Sequence, residues 1–367
     1  MESTYGFLCR VLRVQKHKEW CFLYVSGFQP SRQIMMDINL MRKHQIAEFS
    51  IVKGICEESK NKEGTTIYRV LELQDHVRSG IHGIDIMRFT NQTLAYRQCR
   101  YAIMNEIEAW LRKERFQRIS SPFTMKYRGT SIATPLHING KFVDRYCKIT
   151  HELGLKQAMS EIMAPVYEIG YVANDIYTTK IKWFEYTVLE FVSPLHDESF
   201  IGEFILQCIQ IATKITDEYG LKHADFANIQ VIDLNDGTSA EEVAYLRYNE
   251  PNVLIMHSPT ASPLVKMRDG KRTETIWYFK GSSMAHGYAD ENDWSNFLKV
   301  SQNQIPILAS KGELGQISED FISLLKAGIP NSVSLGMGID RFFQVFFEFS
   351  TIKDYRECMF PEFEFYK

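Results

Sequence analysis

SLGMGIDRFFQVFF, residues 334–347, reads as a strand that runs straight into a helix. Gly336 and Gly338 let another backbone or a ligand come close to the strand. Asp340 and Arg341 open the helix, and Phe342, Val345, Phe346 and Phe349 turn towards a core. An arginine at such a junction can stack on a flat base or meet a phosphate. Alone, a glycine-rich strand followed by arginine is usually structural, so the neighbouring runs must carry the reading.

Two of those runs are informative. Residues 164–194, APVYEIGYVANDIYTTKIKWFEYTVLEFVSP, read as strand, loop and strand, and hold Glu168, Glu185 and Glu190. Residues 254–297 carry Asp290, Glu291 and Asp293 beside Tyr288 and Asn292. Clustered carboxylates can hold an ammonium group or Mg²⁺; a solvated loop is the plain alternative.

Further out, residues 5–75 contain five short apolar, β-rich runs broken by polar turns, among them QKHKE and the charged stretch Glu57–Gly64. Five strands in so short a span suggest a closed barrel of the OB type, with another small barrel as the alternative. Residues 76–95 show no clear period. Ile103, Ile107, Trp110 and Leu111 mark a helix from Arg100 to Arg115, which Pro122 prevents from continuing. A second helix spans Gly202 to Tyr219, and widely spaced strands fill the remainder. The expected organisation is an OB-type barrel at 1–76, a hinge at 77–95 and an α+β domain with a mostly antiparallel sheet at 96–367.

Composition narrows the function. The 367 residues are 45% hydrophobic and 13% aromatic, enough for a large core without disulfides or metal. A net charge of −3 argues against a non-specific nucleic-acid binder. The N-terminus lacks a signal-peptide pattern and no run is long enough to span a membrane, so no membrane association is expected. Seven scattered cysteines without a C-x-x-C pair read as reduced thiols in a cytoplasm.

Taken together, the runs resemble the class II aminoacyl-tRNA synthetases, most of all lysyl-tRNA synthetase. The helix ending at Pro122 resembles motif 1. RYCKITHELGLKQAMSEIMAPVYEIG is similar to the segment leading into motif 2, HSPTASPLVK and HGYADEND follow in order, and SLGMGIDRFFQVFF resembles motif 3. The resemblance implies a seven-stranded antiparallel sheet flanked by helices, and a homodimer formed partly through the motif 1 helix. It also implies ATP and Mg²⁺ as cofactors, and an aminoacyl-adenylate whose acyl group passes to tRNA.

The departures bear on function. Motif 2 in the family has an F-R-x-E core; here the positions are Ala173, Asn174, Asp175 and Ile176, so Asn174 stands at the phosphate-clamping arginine. Lys180 and Lys182 follow and could meet phosphate as point charges. The Mg²⁺ carboxylates fall at about Ile276 and Ser283, so no metal ligand is assigned. Two motif 3 glycines have become Val333 and Ser334, whose side chains are expected to crowd the substrate floor. Gly336, Gly338 and Arg341 remain on the nucleotide side.

The residues that grip lysine in the family match Glu152, Glu190, Tyr288 and Asp290, the last a shortened Glu. A family Tyr is here Val192 and a family Asn is His286. Buried unpaired carboxylates are costly, so three of them suggest a bound cation, unless each pairs with an internal Lys or Arg. In the barrel, Phe22 stands where the family stacks an anticodon base.

The expectation is an ATP-dependent ligase that activates or amidates lysine or a related cationic amino acid and does not charge tRNA. Arg341, Lys180 and Lys182 would handle nucleotide and phosphate. Glu152, Glu190, His286, Tyr288 and Asp290 would line the amine pocket. A catalytically inactive binding or regulatory subunit, and an RNA-binding module, are the alternatives.

Overall fold

Alternation builds the N-terminal unit. On β2 (Trp20–Ser26), Cys21, Leu23 and Val25 are buried, while Trp20, Phe22 and Tyr24 point outward and stay partly exposed. With β1 (Thr4–Lys16), β3 (Gln33–Asp37), β4 (Ile51–Lys60) and β5 (Thr66–Val77), it closes a barrel in the order β1-β2-β3-β5-β4. Helix α1 (Ile38–Lys43) is capped by the Asp37 carboxylate, which accepts from the amides of Asn39 and Leu40. In the charged run Glu57–Gly64, residues 57–60 continue strand β4 rather than forming a loop. Glu57, Glu58 and Ser59 pair with Arg69, Tyr68 and Ile67, and the Tyr5 hydroxyl donates to Glu58.

The computed structural model describes residues 4–26, 33–48, 50–61, 64–77, 91–126, 134–176, 179, 182–226, 229–233, 252–279, 282–310 and 318–350. One compact unit holds the described residues up to Ala95, and a second holds those from Tyr96 onward. Helix α2 (Asn91–Lys113) begins inside the stretch that read as a hinge. Ala95 and Cys99 are buried one turn apart and extend the stripe of Ile103 and Ile107 backwards.

The second unit centres on eight strands. In chain order these are β6 (Gln117–Arg118), β10 (Val166–Ala173), β11 (Glu185–Ser193), β12 (Gln230–Asp233), β13 (Asn252–Pro259), β14 (Thr273–Phe279), β15 (Ser282–Ala289) and β16 (Val333–Gly338). Their order across the sheet is β12-β13-β14-β15-β16-β11-β10-β6. Among the described residues six of these strands pair antiparallel, against the expected seven, and two short strands pair in parallel at the edges. Short strands β7 (Thr124–Met125), β8 (His137–Asn139) and β9 (Asp144–Cys147) form a separate sheet.

One face of the large sheet carries the main core. Helices α2, α4 (Ser199–Glu218) and α7 (Ile339–Phe346) bury Ile107, Phe204, Phe342 and Phe346 with Trp277, Leu335 and Met337. Arg100 of α2 pairs with Asp340 of α7 at 3.0 Å, both 2% exposed, and Asp340 also accepts from the Thr187 amide. Asp340 is therefore a brace between α2, β11 and α7. Helix α3 (Glu152–Ile162) packs on β10 and β11.

Helices α5 (Trp294–Ser310) and α6 (Glu319–Ala327) bury Phe297, Phe321 and Leu325 in a small cluster that supports Tyr288. Ser318 caps α6 by accepting from the Phe321 amide at 3.2 Å. Ser318→Ala is expected to cost about 1 kcal/mol, read as a lower denaturation midpoint at unchanged slope.

Among the described residues no helix is long and apolar enough to cross a membrane. Six cysteines are free and buried, and Cys358 lies outside the described residues.

Candidate active site

The site is laid out on rungs of the sheet. Glu168 on β10, Glu190 on β11, Gly336 on β16, His286 on β15 and Ile276 on β14 stand in register across five strands. The next rung on the same face carries Val192, Ser334 and Tyr288. Residues two apart on a strand share a face, so the two rungs make one surface. Glycine at 336 leaves open space between Glu190 and His286. A Cβ there would sit 3.5 Å from Glu190 Cγ, without a clash. Packing does require glycine at 287, where a Cβ would stand 2.8 Å from Ile201 and 2.9 Å from the Ser334 carbonyl.

The acidic groups of this surface are not equivalent. Lys156 rises from α3, fully buried, with Nζ 2.5 Å from Glu152 Oε1 and 3.0 Å from Asp290 Oδ1. Burial alone would drive off its proton; Asp290 and Glu152 outweigh that, and its pKa is raised. Asp290 Oδ2 accepts from the hydroxyls of Ser332 at 2.6 Å and Ser334 at 2.9 Å. Tyr288 donates to Glu152 at 2.8 Å. Two of the three expected cation-binding carboxylates thus share an internal cation.

Asp290 is corrected further. It is 0% exposed and lines neither cavity of the site, so it anchors Lys156 from below. The expected crowding by Val333 and Ser334 is corrected as well. Val333 faces the main core, and the Ser334 hydroxyl is turned to Asp290.

Glu190 is different. Its Oε2 accepts from the Thr150 hydroxyl at 2.7 Å and the His151 amide at 2.8 Å, and no cation pairs with it among the described residues. Burial, reinforced by the charges of Glu152 and Glu168, pushes its pKa up to about 8. Glu168 one strand away is by contrast bound by Lys148 at 2.6 Å and by Ser121 at 2.6 Å. His151 beside it is held neutral, its pKa down at about 4 through burial and the Lys148 charge.

Two adjoining cavities open on this surface, and Glu190, His286 and Gly336 border both. The smaller, about 120 Å³, lies towards Glu152, Tyr288, Leu155, Val192 and Ser334. The larger, about 420 Å³, runs past Asn174, Lys182, Tyr186, Gly338 and Arg341. Arg341 donates to the Ser283 carbonyl at 2.6 Å and has no anionic partner among the described residues. Burial pushes its guanidinium pKa down. Asn174 is 8% exposed, donates to the Tyr186 hydroxyl at 3.0 Å and leaves its Oδ1 without a partner. Exposed Lys182 lies at the rim, His286 is half-exposed beside Glu274, and Lys180 lies outside the described residues. Phe22 belongs to the barrel, its ring edge-on to His17 at 5.5 Å.

The donor set suits an anion at Arg341, as a nucleotide phosphate would supply. It does not suit Mg²⁺. Ile276 is buried with Ile255 and Tyr278, the Ser283 carbonyl serves Arg341, and no metal-holding group of three His, Cys, Asp or Glu exists among the described residues.

Lys156 and Thr150 are the site residues that sequence reasoning missed. Lys156 had a signal, the four-residue spacing from Glu152, which also describes an ordinary surface pair.

The sequence matches the family of class II tRNA synthetases (D, K and N) over residues 84–364. The lysine–tRNA ligase of Thermosipho africanus is 24% identical, covering 96% of this chain and 84% of that protein. That of Leuconostoc mesenteroides is 26% identical over 70% of this chain, which spans 62% of the relative's length. In fold, the asparaginyl-tRNA synthetase of Pyrococcus horikoshii, solved with asparaginyl-adenylate, superposes with a TM-score of 0.73 at 13% identity, over 97% of this chain and 94% of that one. Ordered motifs, barrel and sheet converge with these likenesses: the chain belongs to the class II tRNA synthetases of the D, K and N group.

Proposed function

We propose that this chain is an ATP-dependent ligase of the class II synthetase type that activates or joins a cationic amino acid without charging tRNA. One observation carries the reading. Buried Glu190 and partly buried Arg341 lack internal counter-ions among the described residues and border the same 420 Å³ cavity. Ionising a buried carboxyl or guanidinium without a partner is costly, so the pair is complementary to a ligand that brings an ammonium to one end and an anion to the other. Arg341 and Lys182 would hold phosphate, and Glu190, with Tyr288 and Glu152 behind it, the amine. Bound ATP would supply the energy that activates the carboxylate.

The replacement of the phosphate-clamping arginine by Asn174 speaks against tRNA charging at an ordinary rate. One preorganised donor to developing charge is worth about 10²–10³ in rate. The same replacement favours a second reading, a non-catalytic binding subunit. A homodimer belongs to both readings, with exposed Phe123, Phe142 and Val143 as apolar surface for it to cover.

Pyrophosphate exchange across a panel of amino acids separates the two. Exchange confined to amine-bearing side chains, with no acylation of total tRNA, is the expected result. Heat of binding for a cationic amino acid without any exchange would favour the binding subunit. Binding of neither ATP nor any cationic amino acid would end both.

A further inference from the structure

Glu190 and His286 face each other across one glycine. Both stand beside Gly336, Glu190 on β11 and His286 on β15. Two strand spacings separate them by about 10 Å, and Gly336 leaves the floor between them open. In the ligase reading above, on which this inference rests, Glu190 holds the amine of the first substrate and Arg341 the phosphate. The activated carboxyl then lies over that floor, within the cavity that Glu190, Arg341 and His286 all border.

His286 is not used by that reading. Its Nδ1 stands 3.3 Å from Glu274 Oε2 on β14. A carboxylate only accepts, so Nδ1 donates and Nε2 keeps a lone pair. Among the described residues nothing is hydrogen-bonded to Nε2. The His286 side chain is 45% exposed and Glu274 17%, so the ring is reachable from solvent while its carboxylate partner is half-buried behind it. A plain surface ion pair would face solvent alone, whereas this imidazole borders both cavities of the site. An imidazole oriented by a carboxylate and open to the reacting centre is the arrangement of a base that waits for a nucleophile.

We propose that His286 is the general base of the joining step, that Glu274 positions it, and that the acceptor is a primary amine. The Glu274 charge at the opening attracts the amine in its ammonium form, which gives one proton to water before it attacks. The amine nitrogen then bonds to the acyl carbon. The bond from that carbon to the adenylate oxygen breaks, and AMP leaves with the electron pair. His286 Nε2 takes the proton that the nitrogen loses, Glu274 stabilises the imidazolium, and the exposed ring passes the proton to solvent.

The test uses the full chain, ATP and whichever cationic amino acid exchanges pyrophosphate best. Two acceptors are compared, each rate divided by the exchange rate of the same protein. Glycinamide needs a base. Hydroxylamine, unprotonated at neutral pH and strongly nucleophilic, has far less need of one. His286→Ala is expected to lower the glycinamide ratio by about 10²–10⁴-fold, the usual worth of a general base, and the hydroxylamine ratio much less. Imidazole added to the buffer is expected to restore part of the glycinamide loss. Glu274→Gln is expected to show the same contrast on a smaller scale, since a merely structural loss would lower both acceptors alike. Equal losses for the two acceptors in His286→Ala would overturn the assignment of the base and leave activation standing. Exchange by the unaltered protein without transfer to glycinamide would overturn the amine acceptor. Absence of exchange with every cationic amino acid would end the ligase reading and this inference together.

Discussion

Lys156→Met is expected to destabilise the protein by about 3–5 kcal/mol, the cost of stranding buried charges by removing their partner. Lys156 has no exposed surface, and Asp290 has none either. Methionine fills much the same volume, so the loss measured is electrostatic rather than a cavity. Without the ammonium, Glu152 and Asp290 must take up protons or open to water. Adding Glu152→Gln and Asp290→Asn is expected to restore most of the loss, because neutral amides demand no cation. Urea denaturation at neutral pH reads both steps. A loss below about 1 kcal/mol for the single change would show that the triad is not a buried ionic cluster.

The same triad shows how far sequence reasoning reaches. Glu152, Glu190 and Tyr288 were recognisable because the ordered motifs resemble a family in which those positions meet. Lys156 was not, since in ELGLKQ it reads as an exposed helical pair with Glu152. Its burial depends on β15 and β16 bringing Asp290, Ser332 and Ser334 over it, and nothing local encodes that arrangement.

Elements followed a similar division. The barrel strands were legible where Cys21 and Leu23 alternate with Trp20 and Phe22. Strand β15, SSMAHGYA, was not, because its polar and glycine residues lack strand character without β14 and β16 on either side. The start of α2 was lost in a segment whose apolar stripe becomes visible only when continued into Ile103.

Glu190 is where pH reports on the site. Its folded-state pKa, about 8, lies above the ordinary 4.5, so the empty fold holds this proton more tightly than the unfolded chain. The associated stability is complete below about pH 4.5 and is lost as pH rises through about 8, at up to about 1.4 kcal/mol per pH unit. Unfolding measured from pH 5 to 8 is expected to show this decline, and Glu190→Gln to flatten its share of it. A bound ammonium acts in the opposite sense, because it favours the carboxylate. At pH 7 the binding of a diamino acid is expected to release close to one proton, and its affinity to rise by up to about tenfold per unit towards pH 8. Calorimetry in two buffers of different ionisation heat counts that proton. Glu190→Gln is expected to abolish the release and to weaken cationic ligands by about 10–100-fold, the worth of one charged hydrogen bond. Binding without proton release in the unaltered protein would mean that the amine does not approach Glu190, and the assignment of this carboxylate to the ligand would fall.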